Sequence, residues 1–150
     1  MSATVEDNEN ACTLDFGEVD FEQLEVLTND EVFLLLGRRL EEGVTNDLLQ
    51  QTYAYVERVA STKINTSIEH LTMEMREILG DIKLRKTSGG NPEPLHKFEA
   101  CCLANFIRDD DSSVQEVLSL LPSMAIYALD DIEMVIGKIM AVKEKYAGDL

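Results

Sequence analysis

The sequence predicts an all-α fold, a small helical bundle preceded by an extended amino-terminal arm. Apolar residues recur at three- and four-residue steps through six successive segments after residue 28. Three of these segments open on Thr28, Thr66 or Ser113, each followed three positions later by a glutamate, the wording of a capping box. No stretch in that region alternates with the two-residue rhythm of a strand. A chain of 150 residues is one domain by default, and folding covers roughly 68 to 70% of its extended surface.

Residues 1–13 are acidic and aperiodic, which predicts an acidic tail disordered when alone. Between residues 14 and 27, Leu14, Phe16, Val19, Phe21, Leu24 and Leu27 are spread among acids, and Gly17 interrupts any helix. That segment reads as extended and then irregular, with hydrophobes but no fold of its own. The first helix begins with Thr28 and Glu31, carries Val32, Leu35, Leu36 and Leu40 at helical spacing, and ends near Gly43.

Residues 46–62 form a second helix, started by Thr45 or Asn46, with Leu49, Tyr53, Val56 and Ala60 on one face. The third is capped by Thr66 with Glu69 and has the cleanest stripe, Ile68, Leu71, Met75, Ile78 and Ile82. Its pattern is too short for a two-stranded coiled coil and suits a bundle. Residues 87–94, with two glycines and two prolines, are the one obvious linker. In the fourth helix Leu95, Phe98, Cys102 and Phe106 share a side, leaving Lys97 and Glu99 beside it. Ser113 and Glu116 cap a short fifth helix bearing Val114, Val117, Leu118 and Leu121, stopped by Pro122. The last opens near Asp130 and turns Ile132, Val135, Ile136, Ile139 and Met140 inward, with Lys143 and Lys145 in its final turns, where the helix dipole favours cations. The division is therefore a tail over 1–13, an arm and first helix over 14–44, and a bundle over 45–150.

As a string, Leu95-His96-Lys97-Phe98-Glu99-Ala100-Cys101-Cys102-Leu103-Ala104-Asn105-Phe106 resembles the signature of the fourth-subunit family of eukaryotic RNA polymerase II, the stalk subunit. The likeness continues in order along the chain. Ala11, Leu14, Gly17, Val19 and Phe21 sit where the family has small and hydrophobic residues, and Leu27-Thr28-Asn29-Asp30-Glu31-Val32 is similar to its Leu-Leu-Asn-Ser-Glu-Val. Gln51-Thr52-Tyr53-Ala54-Tyr55, Leu121-Pro122-Ser123 and Leu129-Asp130-Asp131-Ile132 resemble its second helix, its Ile-Pro-Ser-Leu and the opening of its last helix.

The resemblance implies HRDC-like carboxy-terminal helices, a nuclear protein found also in the cytoplasm, and a non-catalytic subunit without cofactor or metal. It assigns Leu95, His96, Lys97, Phe98, Glu99, Leu103 and Ala104 to the family core. It also implies a partner, the OB/S1-containing seventh subunit, with which the family forms a stalk near the RNA exit path that serves initiation and transcript handling. Departures are the long 87–94 linker, Ile107-Arg108-Asp109-Asp110-Asp111 in place of a Cys-Pro turn, and the tail Tyr146-Ala147-Gly148-Asp149-Leu150. The paralogous stalk subunit of RNA polymerase III is the neighbouring alternative, and an independent acidic helical adaptor a more distant one.

Net charge is −16, and twelve acids against Arg38 and Arg39 place ten of those charges in residues 1–44. Such a chain repels nucleic acid, so contact with RNA is expected only through a partner. Lys83, Arg85, Lys86 and Lys97 are the one local basic grouping, best read as a solvated helix end. The amino terminus lacks the pattern of a secretory signal, and the run Val32 to Leu36 is far shorter than the roughly 18 residues of a membrane span.

Catalytic wording is sparse. Three cysteines lack metal or redox spacing, and only His70 and His96 are present to activate Cys101 or Cys102. The run Asp109, Asp110, Asp111 is no EF-hand, and Gly89-Gly90 no P-loop.

Binding makes better use of the arm. Burying Leu14, Phe16, Val19, Phe21 and Leu24 on a partner is worth about 8 to 15 kcal/mol gross. Ordering fourteen backbone positions costs about 1 to 2 kcal/mol each. The sum approaches balance only if a partner's edge strand adds main-chain hydrogen bonds, with Val32, Leu35 and Leu36 of the first helix docking alongside. On this reading the arm's hydrophobes stay in water until the partner covers them.

Overall fold

Thr28 opens the first helix with both bonds of its capping box: its Oγ1 accepts the Glu31 amide at 3.2 Å, and Glu31 Oε1 accepts the Thr28 amide at 2.9 Å. The computed structural model describes residues 9–60, 66–107 and 112–147. Among these, six α-helices and one two-stranded sheet make an all-α bundle. Helix α1 spans Asn29–Glu41 and is followed by Gly43 at φ +86°, where the chain leaves the helix. Asn46 starts α2, Asp47–Val59, by accepting the Leu49 amide at 2.7 Å. Helix α3 spans Thr66–Asp81. The cap expected at Thr66 lies outside the described side chains.

The segment after α3 departs from the sequence reading. Lys83–Leu84 (β1) pairs antiparallel with Glu93–Pro94 (β2), Lys83 opposite Pro94. Gly89 and Gly90, at φ +97° and +103°, supply the left-handed turn between them. Residues 87–94 thus lie mostly in the loop of a hairpin, with Glu93 and Pro94 in its second strand. Two residues per strand are too few for alternation to register in the sequence.

Helix α4 spans Lys97–Phe106, α5 Val114–Leu120, a 3-10 turn Pro122–Ile126, and α6 Leu129–Ala147. Ser113 caps α5 by accepting the Glu116 amide at 3.2 Å. The expected acidic run at 109–111 lies outside the described residues.

Two apolar clusters share α3. The smaller joins Phe33, Val56 and Ile68 at the meeting of α1, α2 and the start of α3. The larger runs from Leu71 through Leu103, Met124 and Ile132 to Val142, with α3 and α6 as its principal pair. Ile132, Val135 and Ile139 are fully buried as the stripe of α6 predicts. The first helix is part of this packing, since α1 lies against α2 and α3, so no core boundary falls at residue 44. Its inward residues are Asp30, Phe33 and Gly37, while Leu35 is 44% exposed.

Lys143 is nearly buried and donates to the carbonyls of Ala104 and Ile107, so α6 satisfies the end of α4. No described helix is long and apolar enough to cross a membrane.

Candidate partner-binding surface

Helix α4 is the seat of the arm. His96 caps its start, Nδ1 accepting the Phe98 amide at 3.0 Å, while Glu99 Oε1 accepts the His96 amide at 3.3 Å. Glu99 has no exposed surface and also receives the Ser123 hydroxyl at 2.8 Å. The sequence stripe had left Glu99 beside the core; the structure puts it inside, because Ser123 and the helix start satisfy both carboxylate oxygens. Leu95, which the sequence reading put in this helix, lies just before its cap and is buried; on the helix Leu103 and Ala104 are buried, Phe98 and Cys102 are half-buried, and Phe106 is 37% exposed.

The arm runs along α4 from its start to its end. A 3-10 turn at Ala11–Thr13, capped by Asn10, lies against Pro122–Ile126. The turn ends at Leu14, whose φ of +59° is the one left-handed non-glycine conformation among the described residues.

Phe16 and Phe21 then close on the head of α4. Their rings lie 4.9 Å apart, Phe16 is 4.8 Å from Phe98, and Phe21 is 4.6 Å from His96 between ring centres. Lys97 donates to the carbonyls of Phe21 and Leu24. Farther along, the Val26 carbonyl receives Cys101 Sγ at 3.1 Å and Arg76 at 3.0 Å, and the Asn29 amide donates to Asn105 Oδ1 at 2.9 Å.

This corrects the expectation of a fully wet arm. Phe16 and Phe21 are half-buried on the chain's own α4, whereas Val19, Leu24 and Leu27 remain 44, 49 and 41% exposed. Part of the arm and part of the signature string, read separately in the sequence, meet at the head of α4. Leu14, Val19 and Phe21 of the arm and Leu95, His96 and Lys97 at the head of α4 line an open groove of about 810 Å³. Val32, Leu35 and Leu36 are not among its lining; Val32 and Leu36 pack instead around Phe33.

Asp20, Glu22, Lys86, Glu93, Pro94, Ile126 and Tyr127 complete the groove, and the sequence marks none of them as partner-binding. The turn residues Gly89-Gly90 and Pro122 were the only local signals that these segments bend back.

The basic grouping is dispersed by pairing. Arg85 binds Asp131 through its backbone amide and guanidinium at 2.8 to 3.1 Å, and its hydrogen bonds hold the Asp131 carboxyl down at about 2. Lys86 pairs with Glu93 at 2.9 Å. These residues lie on and after β1, beyond the end of α3.

Burial raises the Cys101 and Cys102 thiols to about 11, with Arg76 partly opposing the shift at Cys101, so both are protonated at neutral pH. The arrangement offers apolar rings, exposed arm residues and hydrogen-bonding backbone, which are means of holding another polypeptide. Neither family models nor curated proteins match this chain.

Proposed function

We propose that this chain is the non-catalytic stalk subunit of RNA polymerase II, paired with the OB/S1-containing seventh subunit near the RNA exit path. The carrying observation is the signature string of residues 95–106, which doubles as the helix on which the hydrophobic arm is laid. A helix with this wording supports the arm by its side chains and leaves Val19, Leu24 and Leu27 facing outward for a second protein. The net charge of −16 supports an RNA role exercised through the partner's OB surface. In this role the chain braces its partner on the polymerase core in the nucleus and supports initiation and transcript handling.

Coexpression with the seventh subunit followed by size-exclusion chromatography tests the proposal. Equimolar coelution is expected, and two separate peaks overturn it. Affinity purification and identification of the largest catalytic subunit separates polymerase II from the polymerase III alternative.

One observation favours a second reading. The arm is already anchored at Phe16, Phe21, Leu24 and Val26, as an independent helical adaptor requires. Amide protection over residues 14–27 that is identical with and without the seventh subunit supports the adaptor.

A further inference from the structure

Helix α2 carries a wider apolar arc than its neighbours cover. Its residues Tyr53 and Val56 pack in the small cluster with α1, and Leu49 on the same row is half-buried. A second row, Leu48, Thr52, Tyr55 and Val59, recurs at four, three and four residues and therefore forms an adjoining stripe about 16 Å long. Leu48 is 75% exposed and Tyr55 51%. The stripe ends in a groove of about 480 Å³ where Tyr55 and Val59 meet Phe106 of α4 and Leu120 of α5, floored by Asn29 and Asn105. Phe106 and Leu120 are themselves 37 and 50% exposed.

We propose that this stripe and groove dock an amphipathic helix of a partner protein, apolar on one side and basic on the other. Its length matches three turns of a helix, and the lining contains no charged side chain although 28% of the chain is charged. Charge selects the occupant. Asp47 and Glu57 on α2 and Glu116, one turn before Leu120 on α5, are exposed, and the one cation on these two helices is Arg58, which lies over the Tyr55 ring at 6.0 Å.

A second copy would bring another −16 to the contact, whereas a helix with a lysine-rich outer face gains from both the apolar side chains of the stripe, Phe106 and Leu120 and the surrounding field. The surface is separate from the arm groove, so the inference stands without the polymerase assignment.

The probe is a synthetic helical peptide of roughly 14 residues, leucines on one face and lysines on the other, titrated into the isotope-labelled full chain beside a twin with glutamate for lysine. Resonance shifts are expected to gather at Leu48, Tyr55, Phe106 and Leu120, with the lysine peptide binding more tightly. Leu48→Ser with Tyr55→Ser should weaken it about tenfold or more. Met73→Ser, which alters a 70% exposed residue of α3, should leave binding unchanged. Equal binding of the twin, shifts spread over the acidic surface, equal loss in Met73→Ser, or no binding overturns the proposal. So does a dimer of the chain that the double substitution abolishes.

Discussion

The ammonium group of Lys97 holds the carbonyl of Leu24 at 2.8 Å, joining the first turn of α4 to a segment 73 residues earlier. With the Phe21 carbonyl on the same nitrogen, one exposed side chain fastens the middle of the arm. Lys97→Met keeps the side-chain stem and removes both bonds. Exchange of amides in residues 16–26 should quicken about tenfold, the effect of about 1.5 kcal/mol. The global melting temperature should barely move, because the arm opens locally. Unchanged exchange would show that the rings alone hold it.

Cys101 reports the same opening chemically. Its sulfur is buried and engaged with the Val26 carbonyl, while Cys12 is exposed. A thiol reagent at neutral pH should label Cys12 first and Cys101 slowly, and Lys97→Met should accelerate Cys101 labelling. Mass spectrometry of the labelled peptides measures both, and equal initial rates at the two sites would contradict the burial.

Glu99 and Ser123 should behave as a coupled pair. Ser123→Ala removes one neutral-to-charged bond and should cost about 1.5 to 3 kcal/mol, whereas Glu99→Ala also strands the His96 amide and should cost at least as much. A double-mutant cycle by urea denaturation should find the two losses clearly less than additive.

The burial of this pair shows where sequence reading runs out. Caps at Thr28, Asn46 and Ser113 and the stripe of α6 are local, so spacing within a few residues reveals them. Glu99 is inside because of a hydroxyl 24 positions later, and Phe33 rather than Leu35 faces inward because α2 and α3 lie on that side. The arm's seat depends on contacts across more than 70 residues, which no local period records. The hydrophobes that form it were legible, but not the fact that their own chain partly covers three of them, Leu14, Phe16 and Phe21.

Phe98 illustrates the energetic consequence. It is half-buried between Phe16 and the core, while Leu103 is wholly buried. Leu103→Ala should cost about 2 to 5 kcal/mol. Phe98→Ala should cost less than the about 3 to 5 kcal/mol expected of a fully enclosed phenylalanine, and should loosen the arm as well. Chemical denaturation combined with hydrogen exchange separates the two effects.

Acid should release the Arg85–Asp131 tie. Hydrogen bonds from the Arg85 side chain and backbone lower the Asp131 carboxyl from 3.8 to about 2. A depressed carboxylate stabilises the fold fully above its unfolded value, and that contribution falls away as pH drops through about 2. Asp131→Asn should therefore lower the urea midpoint at neutral pH, and the gap from the parent should close toward about pH 2. A constant gap would locate the effect elsewhere.

Phe21→Asp with Leu35→Asp tests the proposed partner contact. The pair should abolish copurification of the seventh subunit while α3 to α6 keep their protection, since neither residue belongs to the larger cluster. Normal copurification would place the contact on another face.

Lys143 reaches from α6 to the last carbonyls of α4, so the end of that helix is tied across the bundle to a residue 36 to 39 positions later. The helix that carries the arm is therefore clasped at both ends, by His96 and Glu99 at its head and by Lys143 at its foot. Lys143→Met should fray the last turn while the head keeps its amide protection, so that one half of the arm's seat loosens before the other.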